Sequence, residues 1–111
     1  MIRELAMARE ARKHGNEGLA RVCARRASGW AIQQYLLNDN VDLETPSAFE
    51  YIKHFRENAK HEPKMQAVLD HLVQRKVKDS LDGDSYWPLK DVDLIDEAEW
   101  LVHELLGDLK E

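Results

Sequence analysis

The stretch Arg21-Val-Cys23-Ala-Arg25-Arg26-Ala-Ser-Gly29-Trp30-Ala-Ile-Gln-Gln-Tyr35-Leu-Leu37 decides the fold. It contains no proline, and its apolar residues recur at helical rather than alternating spacing. Asn16 ahead of it is a good N-cap, and the polar turn Asn38-Asp39-Asn40 ends it. The spacing therefore predicts a helix over 17–38. Apolar residues cover most of its circumference, which marks a central helix. One side carries Leu19, Cys23, Trp30 and Leu37. An adjacent strip of Ala20, Ala24, Ala27 and Ala31 lets another helix come close, inside a bundle or across a dimer.

Working outward, every other segment also shows the 3.6-residue period. A helix over 2–14 stops at His14-Gly15, where glycine suits a left-handed cap. Thr45-Pro46 opens a third helix, with Thr45 as cap and Pro46 at the first helical position, and Ser47 with Glu50 offers an overlapping capping box. Its expected buried residues are Ala48, Phe49, Ile52, Phe55 and Ala59. A fourth helix, over 63–79, starts at Pro63 and carries the stripe Met65, Val68, Leu69, Leu72 and Val73. Leu81 to Lys90 is irregular, and Asp91 or Asp93 caps a fifth helix over 93–109, apolar from Leu94 through Ala98 and Leu101 to Leu109. The expectation is an all-α, up-and-down bundle of about five helices without a sheet, one domain over 1–111.

Composition excludes whole classes of function. The chain has 111 residues, 43% apolar and 33% charged, as in soluble globular proteins. One cysteine rules out an internal disulfide framework and a multi-cysteine zinc site. No apolar run approaches the roughly 20 residues of a membrane helix, and no apolar segment follows Arg3 and Glu4 as in a signal peptide. A cytoplasmic location is the expectation. Charge runs from +4 over 1–38, through neutral over 39–78, to −9 over 79–111. A net −5 argues against a general nucleic-acid binder, since polyanion affinity rests on neutralising phosphates. It leaves room for one basic face. Arg21, Arg25 and Arg26 flank the central helix and Arg75 follows the fourth. Such arginines grip phosphate or a partner's carboxylates, or else pair with the acidic last third of their own chain.

Few residues carry a recognisable chemistry. Glu50, His54, Glu57 and His61 line one helix face and are ligand types for zinc or iron. That face lies opposite the apolar one, and no histidine has the Glu-x-x-His spacing of di-iron bundles, so neither a metal nor a cofactor is expected. The run Asp82-Gly83-Asp84-Ser-Tyr86-Trp87 opens like a calcium loop but lacks its sixth-position glycine and twelfth-position glutamate. Cys23, near Arg26, reads as packing. Trp100 is rotated away from the apolar face of its helix. It either anchors an interface or lies under the loop Tyr86-Trp87-Pro88.

The segment Arg21 to Leu37, with its Ala-rich and aromatic content, resembles the second helix of HEPN domains. The order of a loop, two helices and an acidic last helix is similar too, over about residues 2–109. The resemblance implies a homodimer that works beside a partner, such as a minimal nucleotidyltransferase or the other half of a toxin–antitoxin pair. It also implies a ribonuclease alternative with RNA as substrate, because ribonuclease members carry Arg, four to six residues, then His. Arg56-Glu-Asn-Ala-Lys-His61 satisfies that string, with His61 as acid/base and Arg56 stabilising the phosphorane. By element order the motif falls instead at Arg75-Lys-Val-Lys-Asp79, where Asp replaces His. The expected function is thus a non-catalytic, dimerising binding module that engages a protein or nucleotide partner, with the metal-independent ribonuclease and a structural homodimer without ligand as alternatives.

Overall fold

Five helices make up the described residues, 2–78, 85–89 and 91–107 of a computed structural model. They are α1 (Ile2–Lys13), α2 (Glu17–Asn38), α3 (Ala48–Glu57), α4 (Pro63–Val73) and α5 (Leu94–Leu106). A two-residue antiparallel ladder joins β1 (Val77–Lys78) to β2 (Ser85–Tyr86), with Val77 opposite Tyr86. The architecture is an all-α bundle. α1, α3 and α5 all pack on α2, and α4 fills the space between α3 and α5. Among the described residues no helix is long and apolar enough to cross a membrane.

Local chemistry explains the boundaries. Asn16 accepts from the Leu19 N–H at 3.1 Å and caps α2. Gly15, at φ +76°, makes the left-handed turn between α1 and α2. Ser47 rather than Thr45 caps α3, accepting from the Glu50 N–H, while the Thr45 hydroxyl accepts from the Ser47 N–H one step earlier. Asp93 accepts from both Ile95 and Asp96 N–H groups and caps α5.

Two helices are shorter than their sequence suggests. α3 ends at Glu57 because Asn58 turns back, its backbone and side-chain N–H groups both donating to the His54 carbonyl. Ala59 is therefore exposed rather than buried, and Tyr51 takes a core position instead. α4 ends at Val73 where its apolar stripe stops; Gln74 is extended, and the chain enters β1 instead of continuing as helix to 79. Asp79, Asp82 to Asp84 and Leu109 lie outside the described residues.

The alanine strip of α2 is used within the chain. Ala20, Ala24, Ala27 and Ala31 are all fully buried, as is Cys23 between them. The large residues expected beside them divide otherwise. Leu19 and Leu37 are 42% exposed and Val22 is 38% exposed, on the side of α2 that no helix covers. Trp30 is half-buried at the same side.

Candidate functional site

Three of the four arginines expected to contact a partner converge. Arg21, Arg25 and Arg75, with Lys76, line an open groove of about 510 Å³ whose apolar wall is Val22 and Trp87. α2 supplies Arg21 and Arg25 four residues apart, on one face. The extended segment after α4 supplies Arg75 and Lys76, and the chain after β2 supplies Trp87. The early end of α4 brings these distant residues together; a helix running to 79 would have carried Arg75 elsewhere.

Each guanidinium is held in place. Arg25 is half-buried and donates to the Leu72 carbonyl at 2.9 Å and to the Gln74 carbonyl, which otherwise lack helical partners at the end of α4. The Arg21 guanidinium lies 4.6 Å from the centre of the Trp87 ring and that of Arg25 lies 5.5 Å from it. Arg75 stacks on Phe49 of α3 at 4.2 Å. The Trp87 indole N–H donates to the Leu89 carbonyl at 3.0 Å, fixing the ring. Burial, joined by the like charges of Arg21 and Arg75, pulls the Arg25 guanidinium below its ordinary value. Among the described residues no carboxylate forms an ion pair with Arg21, Arg25, Arg75 or Lys76.

The attraction between basic and acidic ends is real but belongs to other arginines. Arg9 of α1 pairs with Glu99 of α5, and Arg12 bridges Glu17 and the α5 cap Asp93 at 2.7 and 2.9 Å. Arg26 is exposed on another face of α2, in a separate recess with Trp30 and Glu4.

The remaining candidates take separate partners. Arg56 donates to Asp70 of α4 at 2.7 Å, and that hydrogen bond holds the carboxyl below the usual range. His61 bonds the Phe55 carbonyl at 2.8 Å and lies tilted against the Phe55 ring, centroids 4.6 Å apart. The two side chains thus point into different surroundings. Since α3 stops at Glu57, His61 also leaves the Glu50, His54, Glu57 face. Among the described residues no three His, Cys, Asp or Glu side chains stand close enough to hold a metal. Trp100 is half-buried with the Lys64 ammonium 4.6 Å above its ring, while the loop tryptophan, Trp87, goes to the arginines of α2.

Two features escaped the sequence reading. His71 of α4 meets both carboxylate oxygens of Glu97 on α5, at 2.5 and 2.9 Å, tying those helices together. Trp87 organises the groove, and its position beside proline in an irregular stretch gave no periodic signal. No family model, no curated protein and no solved structure matches the chain.

Proposed function

We propose that this chain is a non-catalytic binding module, HEPN-like in the order of its helices, that pairs with itself and engages an anionic partner. The observation that carries this reading is the groove of Arg21, Arg25 and Arg75, ordered on carbonyls and aromatic rings but without a carboxylate among the described residues. Holding like charges together costs free energy that an anionic ligand returns. Self-association has its support in the uncovered side of α2 outside the groove, where Leu19 and Leu37 are exposed on one helix face. A minimal nucleotidyltransferase is one such partner by resemblance, as is the opposite member of a toxin–antitoxin pair. Ribonuclease action through Arg56 and His61 has weaker support, because each already has its own partner.

Tryptophan emission tests the reading. Phosphate, tripolyphosphate, an oligouridylate and an acidic peptide are titrated separately at low salt. A saturable change with any of them, lost in Arg25→Gln, supports the module; no response to all four refutes it. Light scattering at micromolar concentration tests pairing, and a monomeric mass overturns that part.

A further inference from the structure

We infer that the groove docks an acidic, amphipathic peptide segment of a protein partner, with carboxylates on the arginines and apolar side chains against α2. This rests on the binding-module reading and names its ligand. Two observations favour a peptide over other anions. The first is the character of the wall. Val22 and Trp87 line the groove and give it an apolar wall beside the cations. A bare phosphate group leaves that surface in water, whereas an apolar side chain beside a carboxylate covers it. The groove volume, about 510 Å³, lies within the range of roughly 300–1,000 Å³ that takes inserted groups of small-ligand size.

The second observation is how few cations the groove holds. Three arginines and one lysine line it, on a chain of net charge −5. So small a patch neutralises few phosphates of a nucleic-acid strand, while a short acidic segment ends within it. The Arg21 and Arg75 guanidiniums lie over the Trp87 and Phe49 rings and pair with no carboxylate among the described residues. Their N–H groups therefore remain for bidentate contact with incoming carboxylates. Carboxylates one turn apart on a peptide helix match the Arg21 guanidinium and the Nη1 of Arg25, one turn apart on α2, since only the Nε and Nη2 of Arg25 serve the carbonyls.

The probe is a fluorescein-labelled peptide of Glu, Leu and Ala, with Glu at i and i+4 on one face and Leu on the other. Anisotropy should report saturable binding to the full chain that weakens in high salt. Glu→Gln or Leu→Ser versions of the peptide should each bind about tenfold more weakly or worse. Arg75→Glu, at an exposed position outside the helices, should fold as before by circular dichroism and lose at least about tenfold in peptide affinity. Tripolyphosphate or an oligouridylate binding while the peptide does not overturns the peptide assignment but leaves the binding module standing. Peptide affinity indifferent to Leu→Ser overturns it too, since the groove is then a plain anion site. No binding by any probe overturns both readings.

Discussion

Gly29→Ala should destabilise the bundle, although alanine is the better helix former. Gly29 lies inside α2, where its replacement by alanine would ordinarily gain about 0.8–1 kcal/mol of helix propensity. The first turn of α3 removes that advantage. A Cβ on residue 29 would stand 2.5 Å from the Ala48 Cβ, 2.6 Å from its Cα and 2.9 Å from its carbonyl oxygen. These are not the ends of flexible side chains. They belong to the first helical residue of α3, and moving it shifts Tyr51 and Ile52, both in the core. Overpacking costs about 1–3 kcal/mol, and a rigid neighbour puts this site near the upper end. Subtracting the propensity gain leaves about 2 kcal/mol lost, or a melting temperature lower by about 8–10 °C.

Gly18→Ala is the matching control. It lies in the same helix, and the nearest atom to its added Cβ is the Asn16 side-chain oxygen at 3.8 Å. It should raise the melting temperature or leave it unchanged. The double variant Gly29→Ala/Ala48→Gly should recover little, because the Ala48 Cα remains at 2.6 Å. Thermal melts followed at 222 nm read all three. If Gly29→Ala melts at or above the parent temperature, the close approach of α2 and α3 is not as described and the argument fails.

Three further outcomes follow from single contacts. Asp93→Ala removes the α5 cap and one of Arg12's carboxylates, and should cost about 1–2 kcal/mol in urea unfolding; no loss would disprove the capping role. The Arg56 hydrogen bond holds Asp70 below the usual carboxylate range, and at Asp93 the Arg12 hydrogen bond with the cap N–H groups outweighs burial in the same direction. Both contribute stability that is complete above the unfolded pKa of about 3.9 and lost as pH falls through the folded values. Melting temperature should therefore drop between about pH 4 and pH 2, less steeply in Asp70→Asn, where partial exposure keeps the effect under about 1 kcal/mol; an equal slope would count against the pair. Burial, with the Glu4 charge adding to it against Arg26, pushes the Cys23 thiol up. Cys23 should ignore a thiol reagent at pH 8 until denaturant is added, and rapid native labelling would contradict its burial.

How far the bundle was legible in the sequence depended on what each signal measures. Caps are local, so Asn16 and the left-handed Gly15 could be recognised from a few neighbouring residues, whereas Thr45 competed with Ser47 and Asp91 with Asp93 because each pair offers the same side-chain oxygen. Apolar stripes report which face of a helix is buried, and those of α4 and α5 do so correctly at Met65, Leu69, Leu101 and Val102. They do not report which apolar side of an all-round apolar helix is left over. α2 illustrates this, since its alanines went inward and Leu19, Val22 and Leu37 stayed outside. Three helices packed on one leave a fourth side bare, and small residues make the closest packed sides. The reason for a glycine at position 29, inside α2, is Ala48 of another helix, which no pattern within α2 reports.

The groove depended on a different kind of information. Its arginines could be selected by type and place, because guanidiniums flanking a central helix must either pair or recruit an anion. Whether they pair is a question of distance between elements. The acidic last third does reach the basic first third, at Arg9 and Arg12 of α1, and among the described residues none of its carboxylates pairs with an arginine of α2. Their companions Arg75 and Trp87 arrive through a helix end at Val73 and the backbone ladder of β1 and β2. A two-residue ladder is too short for any alternating pattern to show. Regular elements thus announced the core, while the groove was assembled where the periodic signals stop.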